Sequence, residues 1–171
     1  EQLVALLPPG PLGEALDLGC GTGLCGAAMQ GRVAAIDGVD LAPRMVAAAR
    51  ARGLYRQVHE SAIELWLQRC EARYALVIAA DVFIYVGDLA AVFAGVRRVL
   101  APGGAFAFSV ESAASGVELG AQLRYRHGDD HLRALAAAQG LAVERLEAAV
   151  LRHEQAQPIA GRLALLRGPT P

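Results

Sequence analysis

A glycine-rich turn at the end of a short apolar segment is the feature that most limits how this chain can fold. Residues 14–23 read EALDLGCGTG, so a segment of strand length runs into three alternating glycines. Gly19, Gly21 and Gly23 can adopt backbone conformations closed to other residues, and they place no Cβ between the backbone and a ligand. Such a turn between a strand and a helix is typical of the carboxyl edge of an open parallel sheet, where ligands bind. The pattern therefore predicts an α/β fold with a ligand site at this turn.

The segments after the turn alternate between strand-like and helix-like patterns, which predicts a doubly wound, mostly parallel seven-stranded sheet. Strands are predicted at 14–19, 33–40, 55–61, 74–81, 105–111, 141–154 and 159–168. Helices are predicted at 1–7, 24–30, 41–53, 62–71, 88–100 and 129–139, with a turn at 101–104 and an irregular or weakly helical segment at 112–128. The connection between the last two strands contains Pro158 and is short, so these strands must pair antiparallel.

Composition favours a globular domain and disfavours several classes of function. The chain has 171 residues, of which 54% are hydrophobic, and a net charge of −1, so we expect a single domain over residues 1–171. Its apolar run at 75–86 contains Asp81 and is too short to span a membrane. The 16 basic residues form no broad positive stripe, so no nucleic-acid partner is expected. The three cysteines lack C-x-x-C spacing, which argues against a metal site or a disulfide framework and fits a reducing cytoplasm.

The glycines by themselves fit two classes of cofactor. Residues 21–26, GTGLCG, match the G-x-G-x-x-G of dinucleotide sites, whereas residues 17–23, DLGCGTG, place an acidic residue before G-x-G-x-G. Asp17 lies within an apolar strand, where hydrogen bonds or a cation must compensate its burial. Asp40 ends the second strand, where a carboxylate suits the ribose hydroxyls of either cofactor class, while Asp37 is expected within the strand body or a bulge.

Four segments in order, ALDLGCGTG, VDLAPRMVAAAR, YALVIAADVFIYVGD and VLAPGGAFAFSVE, resemble the class I S-adenosylmethionine-dependent methyltransferases. The resemblance runs from about residue 14 to residue 111. The segments AADVFIYVGDL and FSVE are most similar to bacterial methyltransferases often attached to tetratricopeptide repeats. It implies a Rossmann-like methyltransferase fold, S-adenosylmethionine as cofactor with S-adenosylhomocysteine as product, and a small-molecule methyl acceptor. A non-catalytic cofactor-binding module is the first alternative, and an NAD-binding domain is the second.

The resemblance also implies which residues surround the cofactor. They are Asp17, Gly19, Cys20, Gly21, Gly23, Asp40, Leu41, Met45, Glu60, Ser61, Ala62, Ala80 and Asp81. Asp17 and the glycines belong with the methionine portion, Asp40 with the ribose, and Leu41 and Met45 with the adenine side. The third strand ends HESA, where the family commonly has an aspartate, so Glu60 and Ser61 are alternatives for the adenine amino group and Ala62 would offer its N–H. Ala80 and Asp81 would border the methyl group, and Gly26 is expected to be a helix-packing glycine.

Candidates for a general base follow the strand ends: they are Asp81, Tyr85 and Glu111, with His127 further along. Each has a structural alternative, namely a turn cap for Asp81, core packing for Tyr85, a solvated strand end for Glu111 and an exposed position beside Arg126 for His127. The segment DVFIY lacks the paired prolines of D/N-P-P-Y, which disfavours methylation of exocyclic amines of bases or glutamine.

Two further features concern the acceptor. Phe83 and Tyr85 are expected to form an aromatic wall, and the arginines of RYRH (124–127) and LRHE (151–154) either bind a carboxylate or phosphate or are solvated. In the family that the chain resembles, the acceptor lid often precedes the first strand. Only about a dozen residues precede it here. We therefore expect the lid to be truncated, disordered or supplied by a fused or partner domain.

Overall fold

A mixed seven-stranded sheet forms the centre of the protein in the computed structural model, which describes residues 2–120 and 122–170. In chain order the strands are β1 (Ala15–Leu18), β2 (Ile36–Asp40), β3 (Gln57–Glu60), β4 (Tyr74–Ala79), β5 (Leu100–Glu111), β6 (Val117–Leu119), β7 (Tyr125–His127), β8 (Ala142–Glu154) and β9 (Gln157–Arg167). The sheet has the order β3-β2-β1-β4-β5-β9-β8, and β6 and β7 form a separate hairpin.

The connections between the strands are mostly helical. The helices are α1 (Gln2–Ala5), α2 (Leu24–Ala28), α3 (Pro43–Arg52), α4 (Ile63–Arg69), α5 (Ala90–Val99) and α6 (Asp129–Ala138), with a 3₁₀ turn at Phe83–Tyr85. Proline in the first turn starts α3, because it has the helical φ and needs no N–H partner there, and Gly53 ends it with a left-handed φ of 66°. Val92, Phe93, Val96 and Val99 form the buried face of α5.

The strand pairing creates a switch point beside β1. β1 pairs in parallel with both β2 and β4, β3 extends the sheet beyond β2, and β5 extends it beyond β4. β9 then pairs antiparallel with β5, and β8 pairs antiparallel with β9. This architecture confirms the predicted seven-stranded α/β sheet with a closing antiparallel pair. Because the order reverses between β1 and β4, a crevice opens beyond their carboxyl ends.

Aromatic packing dominates one face of the sheet. The rings of Phe83, Phe93, Phe106 and Phe108 are fully buried, with centroids 4.7–6.3 Å apart. Burying such a side chain stabilises a fold by roughly 1.5–3 kcal/mol. The expected role of Phe83 in an aromatic wall for the acceptor is therefore wrong, because its ring is fully enclosed by this core.

Three local expectations differ from the structure. Residues 112–128 contain the β6–β7 hairpin, and residues 101–104 belong to β5, where an irregularity in the pairing with β4 absorbs the extra length. The last turn is formed by Gln155 and Ala156, with φ values of 47° and 63°. Pro158 lies instead in β9 opposite His153, because a proline is tolerated close to the start of a strand. Across the described ranges, no helix is long and apolar enough to cross a membrane.

Candidate functional site

A cleft of about 990 Å³ opens at the carboxyl ends of β1, β2 and β4, at the switch point of the sheet. Its volume lies at the upper end of the range of about 300–1,000 Å³ that is common for ligand sites. The residues predicted to hold the cofactor that line it are Asp17, Gly19, Cys20, Gly21, Asp40, Leu41, Met45, Ala62, Ala80 and Asp81. Gly23, Glu60 and Ser61 are not part of its wall. The fold thus brings most of these residues together from four separate segments of the chain.

The glycine turn is fixed to the neighbouring strand and leaves space on the cleft side. The N–H groups of Gly19 and Cys20 donate to the carbonyl oxygen of Val39 at 2.8 and 3.0 Å. Gly19 has a φ of 70°, and a Cβ there would lie 2.3 Å from Cγ2 of Val82, so only glycine fits this position. At Gly21, with a φ of 52°, a Cβ would meet nothing within 4 Å. The turn therefore presents backbone without side chains to the cleft.

Asp40 is held rigidly at the end of β2 by two backbone groups. Its Oδ2 accepts a hydrogen bond from the N–H of Gly21 and its Oδ1 accepts one from the N–H of Ala42, both at 2.8 Å. Each carboxylate oxygen has a second lone pair, so both remain able to accept from the hydroxyls of a ligand. Asp37, in contrast, lies within β2 and is not part of the cleft wall. Of these two aspartates, Asp40 therefore lines the cleft and Asp37 does not.

Asp17 lies on β1, is 1% exposed and lines the base of the cleft. The hydroxyl of Tyr55 donates to its Oδ2 at 2.7 Å, and the N–H of Gly26 donates to that hydroxyl oxygen at 3.0 Å. Burial raises the pKa of Asp17 to about 7, although the hydrogen bond from Tyr55 acts in the opposite direction. Sequence reasoning missed Tyr55. The one sequence feature that pointed to Tyr55 was Gly26, the expected helix-packing glycine, which packs against the Tyr55 ring.

The adenine side of the expected site is apolar, with one carboxylate. Leu41 is 70% exposed and Met45 is 40% exposed, so both present surface that a ligand could cover. Ser61 uses both of its donors within the chain: its N–H donates to the Asp40 carbonyl oxygen and its hydroxyl donates to the Ala62 carbonyl oxygen. The acid that lines this part of the cleft is Glu64, in the first turn of α4. Its position one turn after the third strand could have identified it.

Asp81 lines the cleft at the end away from the expected adenine side. It has a left-handed φ of 54°, unusual for a residue with a side chain, and its N–H donates to the hydroxyl of Ser109 at 2.9 Å. Its carboxylate forms an ion pair with Arg152 at 2.6 Å and is half exposed. Burial raises the pKa of Asp81, while the positive charges of Arg152 and Arg124 lower it. Tyr85, on the 3₁₀ turn, also lines the cleft and is 69% exposed, so the core-packing alternative for it is wrong.

Glu111, the third candidate base, does not line the cleft. It is 8% exposed, hydrogen-bonds to Arg152 and lies 3.9 Å from Arg124, so it is not a solvated strand end. Arg124 and Arg152 both also contact Glu154. All three arginines predicted as partners of an acidic acceptor are thus already paired with carboxylates of the chain itself. Arg124 and Arg152 join Asp81 to Glu111 and Glu154 in one network, and Arg126 pairs with Glu118 at 3.3 Å.

An irregularity in β8 directs Arg152 towards Asp81. The pairing of β8 with β9 shifts between Val150 and Arg152, which leaves Leu151 as an extra residue. Such bulges turn the side chains next to them. Gly161 on β9 makes room for this bulge, because a Cβ there would lie 2.4 Å from Cδ1 of Leu151.

His127 is fully buried, so the expectation that it lies exposed beside Arg126 is wrong. Its Nε2 lies 3.3 Å from the carbonyl oxygen of Phe83, which connects β7 to the 3₁₀ turn. Burial lowers its pKa, so the ring is held neutral. His127 does not line the cleft and has no direct access to a ligand there.

Comparison with protein families gives a match that runs from β1 to the start of β5. The family model described as a methyltransferase domain matches residues 15–104. The chain is 31% identical over 154 residues to malonyl-[acyl-carrier protein] O-methyltransferase of Serratia marcescens, covering 90% of this chain and 59% of that protein. It is 35% identical over 100 residues to ubiquinone biosynthesis O-methyltransferase of Idiomarina loihiensis, covering 56% of this chain and 41% of that protein. The chain therefore spans about half the length of these curated relatives.

A solved structure extends the likeness to the whole fold. An S-adenosylmethionine-dependent methyltransferase from Mesorhizobium loti superposes with a TM-score of 0.71 over 97% of this chain and 95% of that one, at 23% identity. At this identity the likeness establishes a shared fold. The fold expected from the sequence is confirmed.

Proposed function

Because this chain belongs to the methyltransferase-domain family, we propose that its cleft binds S-adenosylmethionine and that it transfers the methyl group to a small-molecule acceptor. The observation that carries this proposal is the position of Asp17, the glycine turn and Asp40 around one cleft at the switch point of the sheet. S-adenosylmethionine supplies a methyl group on a positively charged sulfur. The work of the chain is to bind and orient it and to position the acceptor.

The residues of the cleft fit this cofactor chemically. Asp17 is a buried carboxylate whose only hydrogen-bond donor among the described residues is neutral, so a ligand ammonium group would compensate its charge. The open space at Gly21 admits the amino-acid portion of the ligand next to the backbone. The fixed carboxylate of Asp40 can accept from two ribose hydroxyls at once, and it would repel a 2′-phosphate.

We assign the adenine side to the apolar residues of the next segment. Leu41 and Met45 would cover one face of the ring, and the N–H of Ala62 would meet its edge. The roles predicted for Glu60 and Ser61 stay predictions, and the lining of the cleft supports Glu64 as a further candidate for the adenine amino group.

At the acceptor end, we assign the proton-accepting role to Asp81 and the packing role to Tyr85. The guanidinium of Arg152 favours the ionised form of Asp81, which is the form that accepts a proton from a hydroxyl or an amine. The exposed ring of Tyr85 offers an apolar surface to a small molecule. Glu111 would act through Arg152 and not on the acceptor. The 1–171 domain limits, a partner domain and a cytoplasmic location stay predictions.

Calorimetric titration with S-adenosylmethionine, S-adenosylhomocysteine and NAD tests the proposal. We expect binding of both adenosyl compounds and none of NAD. Tight binding of NAD without the adenosyl compounds would overturn it. Transfer of a labelled methyl group to a panel of small hydroxy, carboxylic and amino acceptors then separates an enzyme from a non-catalytic binding module, which would bind the cofactor and label none of them.

A further inference from the structure

We propose that Tyr55 is a positioning residue of the cofactor site, whose hydroxyl holds the Asp17 carboxylate in place and couples the proton on Asp17 to cofactor binding. The inference rests on the proposed function. Tyr55 is not part of the cleft wall, so it acts on a ligand only through Asp17.

Three glycines from three different segments enclose the Tyr55 ring. A Cβ at Gly23 would lie 3.1 Å from Cε2 of the ring, one at Gly26 would lie 2.7 Å from Cζ, and one at Gly38 would lie 3.1 Å from Cδ1. These glycines belong to the turn, to α2 and to β2. Since any side chain there would displace the ring, the glycines fix where its hydroxyl lies.

The hydrogen bonds of the hydroxyl determine its direction. The N–H of Gly26 donates to the hydroxyl oxygen, and the hydroxyl donates its own hydrogen to Oδ2 of Asp17. Burial and the adjacent Asp17 raise the pKa of Tyr55 far above neutrality, so it remains a neutral donor. Within the described parts of the chain, this is the one hydrogen bond that a side chain donates to Asp17.

Among residues 2–120 and 122–170, no cationic side chain forms an ion pair with Asp17. Tyr55 faces Asp17 from the connection between α3 and β3, and Asp40 faces it from the end of β2. Cys20 lies in the glycine turn and Cys25 in α2. Burial raises the pKa of Cys20 to about 12, with Asp17 and Asp40 adding to the effect, so this thiol remains uncharged. On α3, the exposed Arg52 passes beside Gly23.

A proton is therefore linked to binding. Burial raises the pKa of Asp17 to about 7, so the ligand-free protein carries a proton there below neutrality. A ligand ammonium favours the carboxylate, and the displaced proton passes to the buffer. Loss of the Tyr55 hydroxyl removes the bond that favours the carboxylate, so release must then occur at higher pH.

The test compares Tyr55→Phe and Asp17→Asn with a matched control, Tyr74→Phe. The control deletes the same kind of bond, from the Tyr74 hydroxyl to Oδ2 of Asp37 at 2.9 Å, away from the cleft. Calorimetry with S-adenosylhomocysteine at pH 6, 7 and 8, in two buffers of different ionisation enthalpy, gives both affinity and the number of protons released. We expect the wild type to release about one proton at pH 6 and few at pH 8.

Tyr55→Phe should bind about tenfold more weakly at pH 7 and should still release protons at pH 8, because its profile shifts upward by about one pH unit. Asp17→Asn should release none, and Tyr74→Phe should match the wild type. An affinity lowered equally at every pH would mean that Tyr55 only packs, and would overturn the inference. A wild type that binds neither adenosyl compound would overturn the proposed function and this inference together.

A ligand-free measurement separates these failures from poor folding. In urea unfolding between pH 5 and 8, the fall in stability with rising pH should level off above pH 7 in the wild type, continue above pH 7 in Tyr55→Phe, and be absent in Asp17→Asn. Identical slopes for all three proteins would overturn the coupling between Tyr55 and Asp17, whatever the cofactor does.

Discussion

Two buried aspartates on neighbouring strands, each bonded to a tyrosine hydroxyl, differ in their charged partners. Asp17 on β1 has Tyr55, and Asp37 on β2 has Tyr74, but Asp37 also receives two hydrogen bonds from Arg56 at 3.0 and 2.6 Å. Burial would raise the pKa of Asp37, yet the guanidinium of Arg56 and the hydroxyl of Tyr74 lower it below its usual value. Burial of Asp17 without a cation raises its pKa to about 7.

The two side chains also point to opposite faces of the sheet. Asp37 is in register with Leu16, and Asp17 with Gly38, so neighbouring positions alternate between the faces. Removing the cation from a buried ion pair destabilises the fold, because it leaves a charge without a partner, whereas a buried carboxylate that has no cation in the fold is a candidate for binding a ligand cation. The comparison thus separates an aspartate that is paired within the fold from the one that we propose binds a ligand cation.

The largest effect expected is from Arg56→Met, which would give Asp37 the surroundings of Asp17. The variant leaves a buried carboxylate without a cation and should lower the free energy of unfolding by roughly 3 kcal/mol at pH 7. Urea unfolding measures it, with Arg133→Met, an exposed arginine of α6, as a control that should change stability by less than about 0.5 kcal/mol. Equal losses in the two variants would remove the distinction between the aspartates.

Opposite pH dependences of Asp17→Asn and Asp37→Asn would sharpen the comparison. The folded-state pKa of Asp17 is raised, so stability falls as pH rises from about 4 towards 7. At pH 8 the free energy of unfolding of Asp17→Asn should therefore exceed that of the wild type by on the order of 2 kcal/mol. The folded-state pKa of Asp37 is lowered, so its contribution is present above about pH 4 and is lost in acid. Asp37→Asn should therefore be destabilised at neutral pH and approach the wild type below pH 4. Two profiles of the same sign would contradict this account.

Asp40→Ala extends the comparison to an aspartate that backbone N–H groups hold at the cleft. Loss of its carboxylate should weaken S-adenosylhomocysteine binding by about 10- to 100-fold, because hydrogen bonds to a charged group contribute about 1.5–3 kcal/mol each. Calorimetry measures the affinity. The affinity of Asp40→Asn, which keeps one acceptor oxygen, should fall between those of the wild type and Asp40→Ala. An unchanged affinity would remove Asp40 from the ribose role.

The smallest effect expected is from Tyr74→Phe. Asp37 keeps Arg56, so the free energy of unfolding should fall by only about 1 kcal/mol, as for a typical single hydrogen bond. Thermal and urea unfolding measure the change. A loss as large as that from Arg56→Met would show that the tyrosine, and not the cation, stabilises Asp37.

Much of the fold was predictable because it depends on local patterns. The alternation of apolar runs with amphipathic segments predicted the seven strands of the sheet and the helices between them in the correct succession. It placed β8 and β9 to within two residues at each end. The β6–β7 hairpin was missed because its strands have three residues each, too few to show an alternation. Phe83 was misplaced because its burial depends on Phe106 and Phe108, which lie more than twenty residues away along the chain.

The sequence by itself determined the strand, the glycine turn and Asp40 at the end of the next strand. These features depend on backbone conformation and on spacings within one strand–turn–helix–strand unit. Only the tertiary structure decided which buried aspartate has a cation, that Tyr55 reaches Asp17 through three glycines, and that Arg152 joins Asp81 to Glu111. The hydrogen bonds and ion pairs among them join residues 19 to 71 positions apart, and side-chain packing, which no local pattern records, brings them together.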